Sequence, residues 1–287
     1  MKLLRAQTAG FCMGVDLALK KLTSLLADPG EAASPGSPIL TFGPIIHNPQ
    51  VLEEYAARGV RVVNDPVDIP PGATVVIRAH GIPEHVRQAI KARQAIIVDA
   101  TCPKVKKAQT LIASQARHGK ALLLFGEVDH PEVKGLLSYA TAGACVFGSM
   151  DELEELELTP GPAYFLAAQT TQDEQEFLRI RDHLKASLDA DLTVLSTICN
   201  ATMNRQQEAM DLAARVDFMV VVGGRESGNT RRLAQVARAA GTDCIHVETA
   251  DELTTDMVAG KRTIGLTAGA STPKTIIDRV QKVLESF

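Results

Sequence analysis

Three of the five cysteines, Cys12, Cys102 and Cys199, fall at nearly even intervals along the 287 residues. Each runs into apolar residues at helical spacing, in GVDLALKKLTSLL, PKVKKAQTLIASQA and NATMNRQQEAMDLAARV. Each is therefore expected at or just before a helix N-terminus, where the helix dipole favours a thiolate. Three thiolates leave one coordination place open, which marks a catalytic centre and not a structural one. Soft thiolates select zinc or an iron–sulfur cluster. A triad with no ligating histidine favours a cubane cluster with one three-coordinate iron. Cys145 and Cys244 lie in the short strand-like runs ACVFGS and DCIHVE and are assigned to packing. No CxxC pair occurs, which excludes a zinc ribbon or a bacterial ferredoxin pattern. An odd number of widely spaced cysteines is not a disulfide framework and points to a reducing compartment.

A second group of residues suits an anion. His47 and His130 sit in similar contexts, GPIIHNP and GEVDHPE, and His80 lies in RAHGIP. Ser227, Gly228, Asn229 and Thr230 form a short turn before a helix, and Ser271 in ASTP does the same. Hydroxyls, an amide and backbone N–H groups at helix starts fit a phosphate or diphosphate, and histidines add charge when protonated. Glu132 follows His130 by two residues, where a carboxylate could relay protons. His85, His118, His183 and His246 fall within helices or a strand and read as solvated or structural.

The elements that must position these residues repeat three times. After each cysteine-led helix comes an apolar strand and a Gly-containing polar loop (PILTFGPIIHNP, ALLLFGEVDHPE, DFMVVVGGRESGN), then a helix and a short strand. A further strand, loop and helix follow in TVVIRAHGIPEHVRQAI, AYFLAAQTTQDEQEFLRI and TIGLTAGASTPKTIIDRV. The third segment lacks the last strand that delivers a cysteine in the other two, and KLLRAQTAGFC at the N-terminus supplies it. The expected domains are residues 13–101, 102–198 and 199–287, the last completed by 1–12. Such alternation predicts α/β domains with parallel sheets and functional groups in loops beyond strand ends. The first loops carry Cys12, Cys102 and Cys199, the second His47, His130 and Asn229, and the third His80, Thr170 and Ser271. Packed about a pseudo-threefold axis, these nine residues would converge on one site. The Pro/Gly/Ser-rich stretch 28–38 and the acidic DELEELELTPGP are expected to be surface connections.

Composition narrows the class. With 45% apolar and 22% charged residues the chain is an ordinary globular protein, long enough for two domains or three small ones. A net charge of −4 gives no basic footprint for nucleic acid, and 4% aromatics without tryptophan argue against a base-stacking platform. No apolar run reaches the roughly 18 residues of a membrane span. The start MKLLRAQTAGFCMG reads as strand and loop and not as a signal peptide, so a cytoplasmic location is expected. No GxGxxG opens a helix after a strand, so direct nicotinamide binding is not expected.

These motifs resemble one family over essentially the whole chain, the 4-hydroxy-3-methylbut-2-enyl diphosphate reductases of the non-mevalonate isoprenoid pathway. The resemblance is carried by AGFCMGV, GPIIHNP, RAHG, DATCPKV, HPEVKG, QTT, TICNATMNRQ, SGN and TAGASTP. It implies a trefoil of three pseudo-equivalent α/β domains around a central [4Fe-4S] cluster held by Cys12, Cys102 and Cys199, with the fourth iron taking the substrate's allylic hydroxyl. It implies that His47, His80, His130, Ser227, Asn229 and Ser271 hold the diphosphate, with the Gly228 N–H available to it. Thr170 and Glu132 would form the proton path, beside His130. Two electrons and two protons would remove the hydroxyl as water and give isopentenyl and dimethylallyl diphosphate. The electron donor implied is a ferredoxin or a flavodoxin. Gly228 stands where the family often has a second serine, and Asn200 where it commonly has an aromatic residue. Two other readings stand beside this one. Another open-iron trefoil such as quinolinate synthase would need no electron donor. A non-enzymatic redox sensor would hold a cluster without a small-molecule site.

Overall fold

The computed structural model describes residues 1–28, 30, 37–158, 163–188 and 192–287. The strand-forming runs assemble into three four-stranded sheets in which every pairing is parallel. Numbered in chain order, the first sheet runs β3 (Arg61–Val63), β2 (Ile39–Phe42), β4 (Thr74–Ile77), β5 (Ile96–Asp99). The second runs β7 (Ala144–Phe147), β6 (Ala121–Phe125), β8 (Tyr164–Ala168), β9 (Thr193–Val194). The third runs β11 (Cys244–Val247), β10 (Phe218–Val222), β12 (Thr263–Ala268), β1 (Lys2–Arg5). The order is the same in all three, and in the third the last place is filled by the N-terminal strand, Lys2 opposite Thr263 through Arg5 opposite Leu266.

Helices cover both faces of a parallel sheet, so its central strands must be apolar throughout. TVVI, ALLLF and FMVVV are buried at every residue. Each sheet has its own core: Leu40, Val75 and Ile77 with Ile90; Leu122, Leu124 and Phe165 with Ile112; Val220, Val222 and Leu266 with Ile277. The helices repeat in step. α1 (Met13–Ala27), α4 (Pro103–Arg117) and α8 (Asn200–Ala213) follow the three cysteines. α2 (Pro49–Ala57), α5 (Pro131–Leu137) and α9 (Gly228–Ala239) follow the loops after β2, β6 and β10. α3 (Glu84–Ala92), α7 (Glu174–Ser187) and α10 (Lys274–Ser286) follow those after β4, β8 and β12.

The chain falls into two compact units. One comprises Met1–Asp16, Ile46–Glu54 and Asn200–Phe287 and contains the third sheet; the other comprises Leu17–Ile45 and Tyr55–Cys199 and contains the first two. The acidic run read as a surface connection is mostly exposed between β7 and β8 and begins as a short helix, α6 (Met150–Glu154). Ser149 caps it by accepting the Glu152 N–H, and Asp151 and Glu152 sit in its first turn, where the dipole favours acid. The rest of that run at 159–162, and residues 29 and 31–36 of the stretch 28–38, lie outside the described residues. Among the described residues no helix is long and apolar enough to cross a membrane.

Candidate functional site

One backbone hydrogen bond recurs at all three cysteines. The N–H of Cys12 donates to Ala270 O at 3.1 Å, that of Cys102 to Ala79 O at 2.9 Å, and that of Cys199 to Thr170 O at 3.0 Å. The three acceptors lie in the loops after β12, β4 and β8, the third loops of the repeat. A second bond recurs in the second loops: the N–H of Gly43, Gly126 and Gly223 donates to Val63, Phe147 and Val247 at the end of each neighbouring edge strand. Each cysteine is thus tied to the tip of the adjacent strand, just ahead of a helix. None of the five cysteines is in a disulfide, and all are partly buried. Cys145 and Cys244 lie in β7 and β11, and burial pushes the Cys244 thiol up to about 11, as befits a packing residue.

In the unit that contains Cys102 and Cys199, the loops converge on a carboxyl group. Glu132, in the first turn of α5, is 1% exposed. Its Oε1 accepts the Thr170 N–H at 2.6 Å and its Oε2 accepts the Thr170 hydroxyl at 2.9 Å. Burial raises its pKa to about 7, against the lowering effect of the two Thr170 bonds. The Thr170 carbonyl holds the Cys199 N–H, so one residue links the carboxyl to a cysteine. His130 caps α5: its Nδ1 accepts the Glu132 N–H at 3.1 Å. That bond leaves the proton of the neutral ring on Nε2. The His80 ring stands edge-on to His130, with centroids 5.3 Å apart.

The other unit gathers small neutral groups. Ser227 caps α9, its hydroxyl accepting the Thr230 N–H at 3.3 Å. Ser271 Oγ lies 3.2 Å from the His47 carbonyl and 3.4 Å from Ser227 Oγ. Gly228 and Asn229 form the buried first turn of α9. The Asn229 Nδ2 and the Thr230 Oγ1 are buried with no hydrogen-bond partner. Bare glycine makes this closeness possible. A Cβ on Gly224 would lie 2.6 Å from the His47 carbonyl oxygen, and one on Gly269 would overlap the Thr230 hydroxyl. Cys12 belongs to this unit, its N–H bonded directly to the carbonyl of Ala270, the residue before Ser271. Donors that are buried and unsatisfied at a helix N-terminus are what an anion would complete.

A family model, described as LytB protein, matches residues 3–285. The chain belongs to the LytB family. Among its relatives, a 4-hydroxy-3-methylbut-2-enyl diphosphate reductase of Solidesulfovibrio magneticus is 77% identical over 287 residues, covering all of both chains. One of Nitratidesulfovibrio vulgaris, under the same name, is 59% identical over the full length of both. The solved E-1-hydroxy-2-methyl-but-2-enyl-4-diphosphate reductase of Plasmodium falciparum superposes with a TM-score of 0.92 at 26% identity, covering 99% of this chain and 87% of that one. A solved (E)-4-hydroxy-3-methyl-but-2-enyl diphosphate reductase, titled the terminal enzyme of the non-mevalonate pathway, is 35% identical over all of both chains with a TM-score of 0.69.

In this LytB chain several supporting residues escape any reading of spacing. Arg205 of α8 is 5% exposed and donates to the Gly10 carbonyl at 2.7 Å. Glu208, one turn on, accepts the N–H groups of Gln7 at 2.7 Å and Thr8 at 2.9 Å. Together they pin the loop that carries Cys12. Gln169, fully buried, accepts the Glu127 N–H at 3.0 Å and donates to Thr171 Oγ1 at 3.0 Å, bracing the loop that leads to His130. Arg205 and Gln169 are polar residues where the pattern calls for buried ones, and both fall in motifs that carry the family resemblance, TICNATMNRQ and QTT.

Proposed function

We propose that the chain removes the allylic hydroxyl of 4-hydroxy-3-methylbut-2-enyl diphosphate as water, giving isopentenyl and dimethylallyl diphosphate. The carbon–oxygen bond breaks, a carbon–hydrogen bond forms, and two electrons and two protons are consumed. The observation that carries the reading is the Glu132–Thr170 pair: a fully buried carboxyl poised near neutrality and bonded to the residue that holds Cys199.

Three thiols outside any disulfide, at the starts of helices, are the soft donor set that fits an iron–sulfur group. Cys12, Cys102 and Cys199 would hold a [4Fe-4S] cluster. When bound, it supplies a Lewis-acidic iron with an open position and a route for electrons. The remaining work falls to side chains. Protonated at Oε2, Glu132 donates to Thr170 Oγ1, whose own hydroxyl then turns toward the departing oxygen. His130 offers Nε2–H to the substrate, and His47 and His80 add charge when protonated. Ser227, Ser271, Asn229 and the Gly228 N–H bind the diphosphate, which fixes the reacting carbon. We read the domains as residues 13–101, 102–198 and 199–287 with 1–12, the donor as a ferredoxin or flavodoxin, and the location as cytoplasmic.

Anaerobic reconstitution tests this. Iron and sulfide are counted, and the EPR spectrum of the reduced protein is recorded with and without the hydroxylated diphosphate. Expected are about four irons per chain, a spectrum that changes with substrate, and turnover with a chemical reductant. Zinc in place of iron, or a cluster whose spectrum ignores the diphosphate, would overturn the proposal.

A further inference from the structure

The residues around Cys102 carry a charge pattern that neither the fold nor the proton path requires. α4 opens Pro103-Lys104-Val105-Lys106-Lys107, with no acidic residue in its first turn, although cations there oppose the helix dipole. The other two cysteine-led helices differ: α1 has Asp16 in its first turn, and α8 opens with uncharged Asn200-Ala201-Thr202-Met203. Lys106 and Arg87 both reach the Asp99 carboxylate, at 2.8 and 2.7 Å, and Lys21 donates to the Asp99 carbonyl at 2.7 Å. Glu84 stands 4.0 Å from Arg87. With Lys104 and Lys107 at the helix start, five cations meet two carboxylates in a chain whose net charge is −4. Arg87 and Lys106 hold the largely buried Asp99 carboxyl below its ordinary range, so folding accounts for those two pairs, but it does not explain the excess of Lys104 and Lys107. Long-range steering of a partner does.

We propose that this basic rim beside Cys102 is the docking surface for an acidic one-electron carrier protein. The proposal rests on the functional reading above and deepens it. Each reduced carrier gives up one electron and is oxidised, and each turnover takes two electrons, so two carriers must arrive and leave. A small, exposed, salt-screened charged surface gives fast arrival and fast release, which an apolar interface does not. The rim is continuous with the helix that Cys102 begins, so the electron path from the carrier is short.

The test uses the double variant Lys104→Glu/Lys107→Glu. Neither lysine contacts Asp99 or belongs to the proton path or anion site, and acid at a helix start favours folding. Reduced acidic [2Fe-2S] ferredoxin is the probe. Its affinity for the reconstituted enzyme is measured by calorimetry at low salt and at about 150 mM salt, where charges are screened beyond roughly 8 Å. Turnover is compared between ferredoxin and reduced methyl viologen. The expected result is a rise of about tenfold or more in ferredoxin Kd and donor KM at low salt, with kcat and viologen-driven turnover unchanged. The wild-type Kd weakens steeply with salt and the variant's weakens little. Equal ferredoxin Kd in variant and wild type would overturn the docking surface. Wild-type enzyme that turns over with neither donor would overturn the functional reading, and the docking surface with it.

Discussion

The loops around Glu132 and those around Ser227 descend from the same repeated strand–loop–helix plan but are finished with opposite chemistry. Around Glu132 every polar atom of the carboxyl is matched: Thr170 supplies both donors, and the Glu132 N–H is spent on His130. The group that remains changeable is a proton. Around Ser227 the converging groups are hydroxyls, an amide and backbone N–H groups beside His47, and two buried polar atoms, Asn229 Nδ2 and Thr230 Oγ1, are left unmatched. One region is complete and holds a movable proton, while the other is incomplete and awaits an anion. The repeat supplies the scaffold, and function follows from which loop residues are ionisable.

The largest effect that would test this contrast is on turnover. Glu132→Gln keeps an acceptor for the Thr170 N–H but removes the proton store. Turnover should fall by about 10²–10⁴-fold, as for loss of a general acid, with iron content and substrate affinity unchanged. A fall of less than tenfold in single-turnover rate would remove Glu132 from the chemistry and leave the two regions alike.

The same variant should show the opposite effect on stability. Glu132 titrates near 7 in the folded chain and near the ordinary 4.5 when unfolded. Between these values the folded state binds the proton more tightly, so stability falls as pH rises from about 4.5 to 7 and is level above. The accumulated cost is on the order of 3 kcal/mol. Glu132→Gln does not pay it, so the variant should gain stability over wild type across that window and keep the gain at pH 8. Denaturant unfolding of both proteins at pH 5 and pH 8 measures it, and a pH-independent difference would refute the buried titration.

Asn229→Leu probes the other region. It removes a buried amide nitrogen that has no partner, which should leave the free enzyme level or about 1 kcal/mol more stable. It also removes a donor to a charged ligand, worth about 1.5–3 kcal/mol, so KM for the diphosphate should rise roughly 10- to 100-fold with kcat little changed. A destabilised variant with normal KM would make Asn229 structural, and the unmatched donors would lose their meaning.

How far this contrast can be read from the chain depends on the range of the interactions. The cysteine register is legible because each cysteine precedes its own helix, and helix starts are local. The N-terminal strand is legible as a piece missing from the third segment, and it pairs with β12 as that arithmetic requires. The neutrality of Glu132 is not legible, because burial to 1% comes from residues far along the chain. Nor is the grip of Arg205 on Gly10, which links positions 195 apart. The short helix α6 within the acidic surface connection has a local signal. Ser149 is a capping residue, and the acids that follow it sit where the helix dipole favours them.

The smallest predicted effect separates the two serines of the anion region. The Ser271 hydroxyl has one proton and two acceptors in reach, the His47 carbonyl at 3.2 Å and Ser227 Oγ at 3.4 Å, both long for an O–H donor. Swinging that proton to an arriving anion therefore costs little. Ser271→Ala should leave stability within about 0.5 kcal/mol of wild type and raise KM by less than about tenfold. Ser227 also accepts the Thr230 N–H, so Ser227→Ala loses the α9 cap and about 1 kcal/mol of stability besides its contact with the ligand. Denaturant midpoints that fall equally in both variants would show that Ser271 is as structural as Ser227. A midpoint that falls only in Ser227→Ala, with KM raised in both, would assign Ser227 to building the site and Ser271 to filling it.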